Sequence, residues 1–375
     1  MSESTEGQQA WTLIQDDAGL RRVLESVSGA SEIAVDTEFM RRNTFFPQVA
    51  LLQLCAGDEA FLIDPLKVKE LDGLRTLLVD PTVSKILHSC SEDLEVFRHW
   101  LGVIPAPLID TQRAMAILGE AFGIGYRALV EQLLGVELEK GETRSDWLRR
   151  PLSESQCHYA AQDVLQLWRA WPLLRERAEA AGRMGWLREE GEEITRLMID
   201  RETDAYRRIK GAGKLGRREL AALRNLAEWR DTQARKLDKP RGWLLDDKAC
   251  IGIAQRLPGN VEELAALDLI PRSVLKKQSR ILLDCVSNAC ELPEQNLPAS
   301  LPGALTAEQR GKVKTLRLTV KNIAQASGIA PEILASGADL ELLLRQSAGQ
   351  GITPPARWQG WRESIVIEPL RLELE

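Results

Sequence analysis

Residues 33–40 read I-A-V-D-T-E-F-M, and this stretch decides how the rest of the chain is interpreted. An apolar run over 33–35 is typical of an inner β-strand. Asp36 and Glu38 follow two residues apart, and side chains at that spacing on an extended backbone point to the same side. Because adjacent carboxylates repel each other without a positive charge nearby, the pair indicates a site for Mg²⁺ or Mn²⁺. The alternative is a strand that runs out into an acidic turn in solvent.

Composition limits the class of protein. The 375 residues predict two or three domains, and 44% hydrophobic residues with a mean hydropathy of −0.21 are ordinary for a globular protein. The 49 basic and 55 acidic residues give a net charge of −6, which argues against a surface covered in phosphate-binding residues.

Cysteine usage and apolar runs indicate the compartment. The six cysteines show no C-x-x-C pair and no zinc spacing, and several lie in apolar runs, so we expect reduced core residues. Residues 1–9 are polar and lack a signal-peptide core. No apolar run approaches the length of a membrane span. We therefore expect a cytoplasmic protein with no membrane attachment.

Alternating patterns along the first half of the chain predict a mixed sheet flanked by helices. The strand beginning at Ile33 should form an antiparallel meander with the next two strands. The expected elements are strands at 11–14, 33–35, 49–55, 60–63, 85–87 and 108–109, and helices through 27, from 66 through 79 and from 91.

Two helices place further carboxylates on apolar faces. In the first, which Ser91 should cap, Asp93 precedes Phe97 by four residues and therefore lies on or beside the buried stripe. A carboxylate there is costly unless it is paired, although a simple interaction with the helix dipole is the alternative. The second helix opens with a capping box, S-E-S-Q at 153–156. Tyr159 and Asp163 share its inner face, either as site residues or as a hydrogen-bonded pair that only fixes the helix.

The order of these motifs resembles a known family. V-D-T-E-F, L-L-Q-L, H-S-C-S-E-D-L-E-V-F, L-I-D-T-Q, S-D-W-L-R-R-P-L and Y-A-A-Q-D-V follow one another over residues 11–200. This series is similar to the DEDD superfamily of 3′–5′ exonucleases, in the subgroup with tyrosine, and within it to the bacterial ribonuclease D family.

The resemblance implies the architecture. We expect an α/β ribonuclease H-like mixed-sheet exonuclease domain over residues 1–205, followed by two all-α HRDC domains. The first HRDC domain, over 210–292, is indicated by L-R-N-L-A-E-W-R-D and D-K-P-R-G-W-L-L. The second, over 300–375, is degenerate and is recognised mainly by helix breaks at Pro240 and Pro331, 91 residues apart.

The resemblance also implies the site residues. Asp36 would bridge two divalent cations, Glu38 and Asp163 would complete one, and Asp93 would serve the other. Tyr159 would hold the attacking water. Less specific candidates for substrate contacts, each of which could instead be a core residue or a solvated cation, are Phe39, Met40, His88, Arg272, Lys276, Lys277 and Arg280.

The implied activity is metal-dependent 3′–5′ exoribonuclease action that releases 5′-mononucleotides from the 3′ ends of tRNA precursors and other structured RNA. Two Mg²⁺ or Mn²⁺ ions per site are the implied cofactors. A DNA exonuclease with the same chemistry and a non-catalytic RNA-binding scaffold are the alternatives. We expect a monomer that binds RNA with a free 3′ end and has no obligate protein partner.

Overall fold

The structure, a computed structural model, describes residues 10–139, 141–142, 144–200 and 204–375. The expectations about residues 1–9 therefore lie outside the described residues. The chain divides into two compact units. The first comprises the described residues of Met1–Met40, Gln48–Met198 and Thr306–Glu375, and the second comprises Arg41–Pro47 and Ile199–Leu305.

A sheet of six strands, counted over the described residues, forms the centre of the first unit. The strands are β1 (Trp11–Ile14), β2 (Glu32–Met40), β3 (Gln48–Cys55), β4 (Ala60–Ile63), β5 (Ser84–Leu87) and β6 (Leu108–Asp110). Their order is β1-β4-β3-β2-β5-β6. Strands β2, β3 and β4 pair antiparallel, whereas the other three pairings are parallel. The mixed sheet and its antiparallel meander are thus confirmed.

Helices cover both faces of this sheet. They are α1 (Asp17–Ser26), α2 (Asp72–Val79), α3 (Ser91–Trp100), α4 (Thr111–Ile117), α5 (Tyr126–Leu134), α6 (Glu154–Ala180) and α7 (Met184–Asp200). Apolar side chains of α1, α2 and α3 form one core with Val35 of β2 and Leu54 of β3. Helix α6 packs against the strands from the other face. Burial of both faces explains the nearly continuous apolar runs of the inner strands.

The helix expected from Leu66 was wrong at its start, because α2 begins only at Asp72. The preceding residues are held in another conformation by a side chain from α1. Backbone N–H groups of Lys69 and Glu70 donate to Asp17 Oδ1 at 2.7 and 2.9 Å. A long-range contact of this kind leaves no local signal in the sequence.

The second unit is helical. Its helices are α8 (Arg217–Leu237), α9 (Arg241–Leu244), α10 (Asp247–Arg256), α11 (Val261–Ala266) and α12 (Arg272–Glu291). Residues 41–47 pack into this unit, where Asp238 Oδ1 accepts hydrogen bonds from the N–H groups of Phe45 and Phe46 at 2.9 and 3.0 Å. The Phe45 ring also contacts the guanidinium groups of Arg235 and Arg241, at 4.9 and 4.6 Å from the ring centre.

The C-terminal helices repeat the beginning of the second unit. They are α13 (Ala307–Ser327), α14 (Pro331–Leu334), α15 (Gly337–Ser347) and α16 (Glu368–Leu372). Helices α13, α14 and α15 begin at 307, 331 and 337, each 90 residues after α8, α9 and α10 at 217, 241 and 247. Both long helices end in a left-handed residue, Asp238 in one and Gly328 in the other. The helix pattern is therefore more regular than the sequence repeat.

Residues 306–375 pack directly on the sheet-containing part of the first unit. The rings of Trp186 and Trp361 stack with their centres 4.8 Å apart, and Arg362 forms a buried ion pair with Glu190. The Ala330 N–H donates to the Ala116 carbonyl at 2.8 Å. No motif or periodicity in the sequence indicates these contacts. Among the described residues, none of the helices combines the length and the apolarity needed to cross a lipid bilayer.

Candidate active site

Strand β2 places the first two carboxylates at the site. Asp36 and Glu38 lie within the strand, since β2 continues to Met40 rather than stopping after the apolar run. The register shifts after Glu38, which is opposite Leu51, and leaves Ala50 of β3 without a counterpart. Such a bulge bends a strand and redirects its side chains. Asp36 and Glu38 therefore keep their i, i+2 spacing, and the bend in β2 comes directly after them.

Helix α3 supplies Asp93. Asp93 is 7% exposed, and its Oδ1 accepts a hydrogen bond from the Thr37 hydroxyl of β2. The expectation that Ser91 caps this helix was wrong, because the N-cap is Cys90 and makes no side-chain cap. Asp110, at the end of β6, instead accepts hydrogen bonds from the N–H groups of Ser89 and Cys90 at 3.1 and 3.0 Å. A neighbouring strand thus fixes the turn that aims Asp93.

Helix α6 supplies Tyr159 and Asp163. The predicted capping box at its start is confirmed by reciprocal bonds between Ser153 and Gln156. Asp163 is 8% exposed. Tyr159 packs so closely on the Gly141 backbone that a Cβ at 141 would lie 2.1 Å from its ring. Only glycine fits there, so this contact holds the tyrosine ring in place.

Burial, and for Asp36, Glu38 and Asp93 also the charge of neighbouring carboxylates, raises the pKa values of this cluster. Burial, followed by the charge of Asp163, raises the pKa of Asp36 to about 8. Burial, followed by the charge of Asp36, raises the pKa of Glu38 to about 10. Burial raises the pKa of Asp163 to about 8, and burial together with Asp36 raises the pKa of Asp93 well above its usual value. The carboxylates therefore lie close enough to interact electrostatically in a site that is shielded from water.

A cavity of about 1140 Å³ opens onto this cluster. Asp36, Glu38, Tyr159 and Asp163 line it, whereas Asp93 lies behind Thr37 and is not part of the wall. Two cationic residues, Arg127 and Arg144, also line the cavity. The space is large enough for a nucleotide, and it presents carboxylates and guanidinium groups to the same ligand.

The donors of this cluster fit a hard divalent cation. Over the residues that the structure describes, no group of three or more His, Cys, Asp or Glu side chains is already assembled as a metal site. The four carboxylates nevertheless supply only oxygen, which is the ligand that Mg²⁺ and Mn²⁺ prefer. Burial first, and neighbouring carboxylate charges second, raise the pKa values of Asp36 and Glu38, and a bound cation would offset both effects.

Comparisons with known proteins agree with this geometry. A family model described as "3'-5' exonuclease" matches residues 11–179, and an HRDC domain model matches residues 219–286. Ribonuclease D of Pseudomonas paraeruginosa is 40% identical over 367 residues, which cover 96% of this chain and 97% of the relative. Ribonuclease D of Escherichia coli is 35% identical over 370 residues, covering 96% and 97%.

The chain belongs to the ribonuclease D family. The crystal structure of Escherichia coli RNase D, described as an exoribonuclease involved in structured RNA processing, superimposes with a TM-score of 0.89 at 34% identity, covering 98% of this chain and 99% of the other. The catalytic core of RRP6 from Trypanosoma brucei, at 22% identity and a TM-score of 0.55, shares the fold. The family and the ribonuclease H-like fold class expected from the sequence are confirmed.

Of the other residues proposed by analogy with ribonuclease D, some lie at the cavity and others do not. His88 lines the cavity, but its Nδ1 and Nε2 already contact Thr111 Oγ1 and the Ile124 carbonyl at 3.0 and 3.1 Å. Phe39 and Met40 are half-buried on β2, outside the cavity lining. The candidate cations of α12 lie in the second unit, where they are Arg272, Lys276, Lys277 and Arg280.

Sequence reasoning missed two arginines near this candidate site. Arg150 donates to the Asp64 carboxylate at 2.7 and 2.8 Å and to the carbonyl of the bulge residue Ala50 at 2.6 Å. It therefore ties the segment leading into α6 to the sheet beside the bulge. Arg127, whose Nε donates to the Leu138 carbonyl at 2.9 Å, was also missed. The S-D-W-L-R-R-P-L motif was the available signal for Arg150, but the motif alone assigned it no partner.

Proposed function

We propose that this protein is a metal-dependent 3′–5′ exoribonuclease that releases 5′-mononucleotides from structured RNA, with the 3′ ends of tRNA precursors as the main substrate. The observation that carries the proposal is the convergence of three carboxylates and one tyrosine at a single cavity, with the carboxylate of Asp93 buried directly behind Thr37. Membership of the ribonuclease D family supports RNA as the substrate. Six free cysteines, four of them buried, are consistent with a reducing cytoplasm.

Asp36, Glu38, Asp93 and Asp163 are the residues we assign to two divalent cations, with Asp36 shared between them. Bound there, the cations would lower the pKa of a water molecule and stabilise negative charge on the phosphate and the leaving oxygen. The protein supplies the fixed positions of these ligands through the Thr37–Asp93 hydrogen bond and the capped start of α6.

Tyr159 orients the attacking water rather than removing its proton. Burial, followed by the charges of Asp163 and Glu38, raises the pKa of Tyr159 above its usual value of about 10. Its hydroxyl is therefore protonated at neutral pH and acts as a hydrogen-bonding group. Arg127 lines the same cavity, and we assign its guanidinium group to a phosphate of the RNA.

The polarity and metal dependence of cleavage test the proposed function. A single-stranded RNA labelled at its 5′ end should shorten stepwise with Mg²⁺ or Mn²⁺ and remain intact in EDTA. A DNA of the same sequence should be degraded more slowly, since discrimination requires a contact to the 2′-hydroxyl. Equal rates on both polymers would favour the DNA exonuclease, no cleavage of either would favour the scaffold, and cuts within a circular RNA would contradict an exonuclease.

An exposed basic stripe on α12 is the proposed RNA contact of the first HRDC domain. Arg272, Lys276 and Arg280 recur every four residues and are exposed, as is Lys277. Other arginines of this unit, such as Arg217 and Arg230, are already in ion pairs. For the stripe, no ion pair is found within the described residues. Such cations are available to RNA phosphates.

Salt dependence of RNA binding tests this stripe. The double variant Lys276→Gln with Arg280→Gln should reduce the slope of log K against log salt by about 1.4, because each lost contact on single-stranded RNA contributes about 0.7. Filter binding at several salt concentrations measures the slope. The control, Arg21→Gln with Arg75→Gln, removes the same charge from residues already paired with Glu70 and Asp72. Equal slopes for the two variants would refute the contact.

The domain boundaries are part of the proposal. We assign residues 1–205 to the exonuclease domain, 210–292 to the first HRDC domain and 300–375 to a second, degenerate HRDC domain. The matched HRDC segment at 219–286 and the 90-residue offset between α8–α10 and α13–α15 support this division.

A further inference from the structure

Gln53 is a buried polar residue that the proposed mechanism does not use. It lies on β3, it is 0% exposed, and neither Oε1 nor Nε2 of its side chain has a hydrogen-bond partner. Burying an amide without a hydrogen-bond partner is unfavourable, because the group loses its hydrogen bonds to water and gains none in return. A side chain of this kind inside a sheet therefore needs an explanation other than packing.

The strand register places Gln53 directly opposite Asp36. The two residues are cross-strand partners in the antiparallel pair of β2 and β3. Paired residues point to the same face of a sheet with their Cβ atoms about 4.5–5.5 Å apart. On the other side, the cross-strand partner of Gln53 is Leu62 of β4, which offers no polar atom. Of these two cross-strand neighbours, only Asp36 has a side chain that could accept a hydrogen bond from the amide.

We propose that Gln53 is a positioning residue for Asp36, whose carboxylate accepts a hydrogen bond from the Gln53 amide in the cation-loaded enzyme. This inference rests on the proposed role of Asp36 as a cation ligand. An ionised carboxylate has about four lone-pair sites on its two oxygens, so an Asp36 that serves two cations keeps acceptor capacity. A neutral donor behind it would fix its rotamer. The amide suits this position because it adds no charge to a cluster that is already strongly acidic.

The test compares Gln53→Met with wild type in the full-length protein. Methionine keeps the length and apolar bulk of the side chain but removes the donor. We expect the melting temperature in EDTA to be equal or higher, because an unpaired amide is lost. The Mg²⁺ concentration at the midpoint of the thermal shift should rise about tenfold. The kcat on single-stranded RNA should fall about 10- to 100-fold. Both changes are usual when a group that orients a metal ligand is lost. KM for RNA should not change.

The control is Leu54→Met, the same new residue at the next position of β3. Leu54 is fully buried and pairs with Val35 on the opposite face. Its variant should keep the Mg²⁺ midpoint of wild type. A wild-type midpoint and kcat in Gln53→Met would overturn the inference, as would a lower melting temperature in EDTA with an unchanged midpoint. If wild type itself shows neither a Mg²⁺ shift nor Mg²⁺-dependent cleavage, the proposed function has failed instead.

Discussion

The Asp93→Asn variant is expected to lose most of its exonuclease activity and yet to melt at a higher temperature than wild type in EDTA. Activity should fall because Asp93 is a proposed cation ligand. Stability should rise because burial and the nearby Asp36 disfavour the charge of Asp93 in the metal-free fold. Asparagine can still accept the hydrogen bond from Thr37. A gain on the order of 1 kcal/mol corresponds to about 2–4 °C for a domain of this size.

The pH dependence of metal-free stability follows from the same cluster. The folded-state pKa values of Asp36 and Asp163, about 8, exceed the unfolded value of about 4. The folded protein therefore binds more protons than the unfolded chain between these values, and the contribution of these groups to stability falls as pH rises from about 4 to 8. The decline should be shallower in Asp93→Asn, and Mg²⁺ should oppose it in wild type by binding the native state.

Thermal melts at several pH values, with EDTA or Mg²⁺, measure both effects. The control is Asp80→Asn, because hydrogen bonds from Thr82 lower the pKa of Asp80 and its charge is favourable in the fold. That variant should not gain stability in EDTA and should keep the full Mg²⁺ shift. If Asp93→Asn behaves like this control, Asp93 interacts with its helix dipole and is not a cation ligand.

The Tyr159→Phe variant is expected to lose on the order of 10²-fold or more in kcat, a typical loss for a group that positions a reacting water. The ring, and with it the packing against Gly141 and Trp147, remains. Only the hydroxyl disappears from the cavity. The Mg²⁺ midpoint and KM for RNA should hardly change, because the hydroxyl is not proposed to bind a cation.

Single-turnover cleavage of a short RNA measures this loss without a contribution from product release. Tyr126→Phe is an informative comparison, because the Tyr126 hydroxyl donates to the backbone of α6 and Tyr126 also lines the cavity. We expect it to lower the melting temperature more than Tyr159→Phe does. Wild-type turnover in Tyr159→Phe would reduce Tyr159 to a residue that only packs against α6 and its neighbours.

Local geometry was determined by the sequence. Alternation on β2 placed Asp36 and Glu38 on one face, and the i, i+4 spacing placed Tyr159 beside Asp163. The capping box at Ser153 followed from four consecutive residues. The order of the motifs then identified the family. Each of these inferences depends on residues close together in the chain, whose relative positions are fixed by the 2- and 3.6-residue periods.

Tertiary structure decided what lies opposite each of those faces. Periodicity says which side of its own element a residue occupies, but the partner across the gap depends on packing between distant segments. The N-terminus of α3 is therefore held by a hydrogen bond to Asp110 of β6. The helix expected from Leu66 begins later because Asp17 of α1 binds the backbone before it. Gln53 acquires its position opposite Asp36 from strand register alone.

The placement of residues 306–375 has the same physical origin. The sequence identified a separate helical domain over residues 300–375, and its helices form where local patterns place them. Their apolar and charged side chains are buried against α7, through Trp361 on Trp186 and Arg362 on Glu190. Complementarity between two surfaces that lie far apart in the chain has no periodic signature, so the sequence determined the helices and the tertiary structure determined what they cover.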